Sequence, residues 1–141
     1  MSLNVYPTGA SLAGNCQFHG TVVPTDGDAL VSTGMDAGGI LGVSIGTDLN
    51  DTNFIGIFNA KKFYGYGYAS PEGRGIDPIT NGRTLAKVRA GANKGDELIT
   101  DSNYLVAPTG SYSADAHFVA RCLETVSADG LAEVELYGLA K

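Results

Sequence analysis

The sequence has no tryptophan, two cysteines, two histidines and nine lysines and arginines in 141 residues. Each scarcity removes a class of function. Binding to a phosphate backbone needs clustered Lys and Arg. Here the basic residues are scattered, Lys61-Lys62 being the only adjacent pair, and the net charge is −6, so no nucleic-acid partner is expected. Cys16 and Cys122 lie far apart with no metal-type spacing. Two free thiols are expected, with a long-range disulfide as the alternative. The first residues, "MSLNVYPTGASLAGN", show neither the basic start nor the apolar run of a secretory signal. No stretch approaches the roughly 18 apolar residues of a membrane span. A soluble chain made in a cytoplasm, with no membrane partner, is the expectation.

Catalytic groups are equally thin. His19 and His117 are the only imidazoles, and each sits beside an apolar residue at the start of a strand-like run. No serine occupies a G-x-S-x-G elbow, and both cysteines fall in apolar runs. "DLNDTN" offers Asp48, Asn50, Asp51 and Asn53 as oxygen ligands. It lacks the central glycine and distal glutamate of a calcium loop, so a hairpin turn is expected there. The run "GYGYASPEGRG" is neither a Walker loop nor a G-x-G-x-x-G fingerprint. These residues point to no enzyme, no cofactor and no metal site.

What the chain has is glycine, 20 residues, about twice ordinary usage, between short alternating apolar runs. "QFHGTVV", "ALVST", "ILGVSIGT", "FIGIFNA", "FYGYGYA", "LAKVRA", "ELITD", Tyr104–Ala107, "HFVARCLETVS" and "LAEVELYGLA" read as strands separated by turns. The expected fold is all-β: a compact barrel or sandwich of short strands, internally duplicated, behind an extended N-terminal arm at residues 1–15. The β domain then runs over 16–141, with repeat-like halves at about 18–60 and 85–138. A Gly/Pro-rich connection at 70–84 joins them.

The duplication rests on one phrase seen twice. "GDALVST" at 27–33 and "GDELITD" at 95–101 share Gly-Asp, a spacer, leucine and a β-branched residue. Gly27 and Gly95 supply positive φ, and Asp28 and Asp96 bond amides within the same turn. The flanks suggest matching "TVV" with "AKV", "ILGVSI" with "FVARCL", and "FIGIF" with "AEVELY". "SNYLVAPTGSYSA" is then an insertion in the second half.

Two groups of residues are candidates for contacts with a partner. Tyr64, Tyr66 and Tyr68 alternate with glycine, which places three rings on one face if the run is a strand. They serve an interface, or they cover the edge of their own core. In the arm, Leu3, Val5, Tyr6 and Leu12 are lone apolar residues without a period. They anchor on a neighbour, or the arm is a frayed tail.

The segment "AKVRAGANKGDELITDSNYLVAP…HFVARCLETVSADGLAEVELYG" resembles the small capsid decoration, or cement, proteins of tailed bacteriophages. The matching positions are Ala90-Gly91, Lys94-Gly95-Asp96, Leu98, Ala107-Pro108, Ala120 to Glu124, Ser127 to Gly130, Val134 and Leu136. The likeness covers residues 85–138 directly and 18–60 through the repeat. It fails at "TGSYSADAH" and in the tyrosine-rich centre. The resemblance implies a β-rich homotrimer on the outside of an icosahedral capsid. There it would bind between major capsid protein subunits of the expanded shell and stabilise it. A different expectation is a virion-associated module, part of a tail spike or fibre, that binds carbohydrate or a receptor through its tyrosines and the 70–84 loop.

Overall fold

Residues with inward side chains alternate with outward ones along the longest strands, and several strands end at a glycine or aspartate. In the computed structural model, which describes residues 16–64, 70–108 and 115–138, nine strands result. They are β1 (Cys16–Phe18), β2 (Ala29–Met35), β3 (Leu41–Ile45), β4 (Phe54–Ile57), β5 (Asn81–Val88), β6 (Glu97–Asp101), β7 (Tyr104–Val106), β8 (Ala120–Cys122) and β9 (Gly130–Tyr137). A 3₁₀ turn, Ala60–Lys62, is capped by Asn59. The fold is all-β, as the composition and periodicity imply.

The strands form two units. In the second, β5, β7, β6, β8 and β9 close into a five-stranded barrel. In the first, β1, β3, β2 and β4 form a sheet in the corresponding order. Bridges Gln17↔Gly75 and Ile57↔Ile79 add residues 75–79 as its fifth element, where β9 stands in the second unit.

The Gly-Asp turns show how closely the two plans agree. Gly27 and Gly95 have φ of 91° and 95°. Asp28 Oδ2 accepts the Thr25 amide at 2.8 Å, and Asp96 Oδ2 accepts the Asn93 amide at 2.8 Å. The Gly27 amide donates to the Phe58 carbonyl, and the Gly95 amide to that of Cys122. The Phe58 amide returns to Asp28, and the Cys122 amide to Asp96. Past the turns, Leu30↔Gly56 corresponds to Leu98↔Ala120, and Phe18↔Val43 to Val88↔Leu105. Both of the latter pairs are parallel.

The cores correspond as well. Cys16, Phe18, Leu30, Val43, Ile55, Phe58 and Ile76 fill the first unit. Ala86, Val88, Leu98, Leu105, Val119, Cys122 and Ala132 occupy the same places in the second. Phenylalanine replaces valine and cysteine at two of these, and Phe63 adds a third ring edge-on to Phe18 and Phe58.

This pairing shifts the strand matching suggested by the flanking sequence. "ILGVSI" is β3 and corresponds to β7, inside the stretch taken for an insertion. "FIGIF" is β4 and corresponds to β8, while β9 corresponds to residues 75–79. The equivalence therefore runs past residue 60 and through much of the Gly/Pro-rich stretch. Asn81, inside that stretch, already begins β5. "QFHGTVV" also differs from expectation: β1 stops at Phe18, and Val22 and Val23 are 67% and 41% exposed.

The equivalence separates the two glycines by surroundings alone. A Cβ at Gly95 meets nothing within 4 Å, so Gly95→Ala bears only the cost of positive φ, about 1–2 kcal/mol. A Cβ at Gly27 would lie 2.4 Å from Leu131 Cδ2 and 2.9 Å from the Lys87 amide nitrogen. Overpacking adds about 1–3 kcal/mol there. Urea denaturation should find Gly27→Ala clearly the more damaging; equal losses would contradict the different settings.

Candidate functional site

The most specific polar arrangement lies where the first unit inserts into the second. The parallel β1–β3 ladder holds three pairs, Cys16↔Leu41, Gln17↔Gly42 and Phe18↔Val43. Its counterpart, β5–β7, holds one, Val88↔Leu105. The gap between Lys87 and Asn103 is filled by the turn at Gly27–Ala29. The Lys87 amide donates to the Gly27 carbonyl at 2.9 Å, and the Ala29 amide donates to the Asn103 carbonyl at 2.9 Å.

Asp28 anchors this insertion and is nearly fully buried. Its Oδ1 accepts Lys87 Nζ at 2.6 Å and Asn103 Nδ2 at 2.9 Å, while Oδ2 holds its own turn. Lys87 Nζ also reaches Thr25 Oγ1 at 2.5 Å. A buried carboxylate requires such compensation, and here four donors supply it. Beside it, Ala29 and Ile57 point away from their own unit into the core of the second. At the other end of the seam, Ser102 bonds Asp48 and Thr47, while the Asn50 and Asp51 amides bond Thr100. "DLNDTN" lies in the connection from β3 to β4, which β2 separates in the sheet, so it is not the hairpin turn expected there; its Asn50 accepts the His117 amide. Among the described residues no cluster of three His, Cys, Asp or Glu is present.

An open groove of about 580 Å³ runs along the junction, lined by Phe18, Val22, Val23, Ile45, Thr47 and Lys87 among others. Val22 and Val23 give its mouth an apolar, solvent-facing rim. Neighbouring residues carry a second feature common to both units. Glu72 accepts His19 Nδ1 and the Gly20 amide, each at 2.7 Å. Asp129 accepts Arg89 Nη1 at 3.1 Å and the Ala90 amide at 2.7 Å. Each carboxylate thus ties down the loop after the first strand of its unit. These bonds hold both carboxyls below their ordinary pKa, the His19 bond being the largest cause for Glu72 and the Ala90 amide for Asp129. Arg89 also stacks over Tyr104, 3.9 Å from the ring centre.

The residues singled out in the sequence divide unevenly over this picture. Gly27, Asp28, Gly95 and Asp96 are the paired turns. Tyr64 is 59% exposed and lies outside the strands, its amide bonding the Gly75 carbonyl. The continuous aromatic strand expected there is absent at Tyr64, because Phe63 makes a single bridge to Ile76 and turns inward. Tyr66 and Tyr68, like Leu3, Val5, Tyr6 and Leu12, lie outside the described residues. Lys87 and Asn103 escaped the sequence reading because their role depends on a partner distant in the chain. Both cysteines are free and buried. No family model matches this chain, and no curated protein matches it.

Replacing Lys87 by methionine removes the charge facing Asp28 and should cost about 3 kcal/mol in chemical denaturation. Gln17→Met, at the equivalent position of the first unit, should stay within about 0.5 kcal/mol. Equal effects would show that the Asp28–Lys87 pair does not hold the junction. Burial, with a smaller contribution from Asp77, lifts the Cys16 thiol to about 11. Its raised pKa favours the folded state fully below pH 9, and this contribution fades as pH climbs from 9 to 11. Iodoacetamide at pH 8 should therefore leave Cys16 unmodified until denaturant is added, and rapid native alkylation would refute its burial.

Proposed function

We propose that this chain is a structural protein of a tailed-bacteriophage virion, not an enzyme. In this reading a homotrimer sits on the outer surface of an icosahedral capsid, between major capsid protein subunits, and stabilises the shell. One observation supports the reading above others. The residues that carry the resemblance to decoration proteins fall together on one closed barrel. Lys94-Gly95-Asp96 form its turn, Leu98, Ala120, Cys122, Val134 and Leu136 its core, and Asp129 its loop clamp. The same plan repeated in the first unit gives one chain two rigid β modules, suited to bridging neighbouring subunits.

Attachment would work by many small contacts. Arm residues Leu3, Val5, Tyr6 and Leu12, and the tyrosines Tyr64, Tyr66 and Tyr68, would bury apolar surface across subunit boundaries. Each chain gains modest energy, but three linked chains act at high effective concentration, so occupancy rises steeply. Ordering an arm costs roughly 1–2 kcal/mol per residue, which its anchors and main-chain pairing must offset.

The test uses the purified full chain and expanded shells assembled from the major capsid protein of the virus that carries it. Co-sedimentation should saturate, and the decorated shells should melt at higher temperature. Removing residues 1–12 should weaken decoration at least tenfold, about 1.4 kcal/mol. A wild-type chain that leaves expanded shells bare would overturn the reading, and glycan binding in its place would favour a receptor-binding module.

A further inference from the structure

The junction shows what the Gly-Asp edge of one unit can bind, and in the second unit the same edge is unoccupied among the described residues. In the first unit the Gly27 carbonyl, the Ala29 amide and the Asp28 carboxylate grip the main chain at Lys87 and Asn103 and the Lys87 ammonium. The corresponding groups are the Gly95 carbonyl, the Glu97 amide and the Asp96 carboxylate. Among the described residues the Gly95 carbonyl and Glu97 amide have no backbone partner outside the strand ladders. Asp96 uses Oδ2 for its own turn, as Asp28 does, leaving Oδ1 for a partner. An open groove of about 380 Å³ lies against this edge, lined by Gly95, Asp96, Glu97, Ala107, Pro108 and Phe118.

We infer that the Gly95–Glu97 edge is a docking site for a foreign protein strand that carries lysine or arginine beside an open main-chain edge. Main-chain pairing and a charge-assisted bond to carboxylate are the two interactions that the chain already uses at its own junction. Lys94 and Arg121 balance Asp96 and Glu97 along this edge, so it is the Asp96 carboxylate, placed as Asp28 is, that supplies the local complement to a basic side chain.

A second copy of the chain is the poorer occupant for two reasons. The first unit closes its own β1–β3 ladder with three pairs, so it offers no gap like that between Lys87 and Asn103. Ala29 and Ile57, which enter the neighbouring core at the junction, are replaced at this edge by the exposed pair Glu97 and Arg121. Tyr137 donates to Glu97 at 2.6 Å and holds that carboxylate at the surface. An apolar contact of the junction type cannot recur here, while a polar one can. The inference goes beyond the shell-binding proposal and does not depend on it.

The probe is a cyclised β-hairpin peptide copying Asn81–Val88 joined to Gly130–Tyr137, which presents the Lys87 edge. Titrated into the full chain and followed by amide NMR, it should shift Gly95, Asp96 and Glu97 saturably. Asp96→Asn in the chain keeps an oxygen for the Asn93 amide, and a dispersed spectrum confirms its fold. That variant, or Lys87→Glu in the peptide, should weaken binding roughly fivefold or more. Absence of shifts at millimolar peptide, shifts confined to the Val22–Val23 groove, or binding indifferent to both changes would each overturn the inference. Self-association through the same amides without peptide would also overturn it, in favour of a second copy.

Discussion

A buried carboxylate controls the joint between the two units. Asp28 sits at 3% exposure, and four donors surround it: two from its own turn and two from the other unit. The cost of burying a charge is met only when the units are together, so the sheet and the barrel are held to one relative placement. The Lys87–Gly27 and Ala29–Asn103 main-chain bonds then complete a ladder that β5 and β7 leave open. Ala29 and Ile57 add apolar burial in the same place. Polar specificity and hydrophobic gain coincide at this joint.

Duplication followed by divergence explains why the contact is made once. The two turns keep the same hydrogen bonds, yet Gly27 is buried against Leu131 and Lys87 while Gly95 faces open space. Ala29 and Ile57 of the first unit stand where the second has Glu97 and Arg121, and the gap left between β5 and β7 has no counterpart between β1 and β3. A repeated head-to-tail contact between copies would generate rings or filaments. Charge at one end and a complete ladder at the other remove that route, much as terminal repeats cap a solenoid.

Much of the architecture was legible in the sequence, and the misses have physical reasons. The repeated Gly-Asp phrase identified the paired turns, because positive φ and an Asx bond are local requirements written in adjacent residues. The all-β class followed from period-two runs between glycines. The strand matching slipped by one because "ILGVSI" and "FVARCL" share length and apolar alternation, whereas β7 is three residues within polar loops. The counterpart of β9 was hidden because Gly75 and Pro78 read as loop residues, and it pairs through isolated bridges only. The joint was invisible because Asp28 and Lys87 are 59 positions apart and each is an ordinary residue in its own segment. Of the proposed contact residues, Tyr64 alone falls among those described, and it stands at the surface.

Equivalent edges differ in occupancy: the first unit's edge is filled by the second, while among the described residues nothing pairs with the edge at Gly95–Glu97. Native-state hydrogen exchange at two equivalent amides tests this most directly. The Ala29 amide, bonded to Asn103, should exchange only on opening of the junction and show strong protection. The Glu97 amide, at the same place in the second unit, should exchange far faster in the free protein. Comparable protection at Ala29 and Glu97 would contradict the account, because it would mean that the two edges are equally filled or equally open.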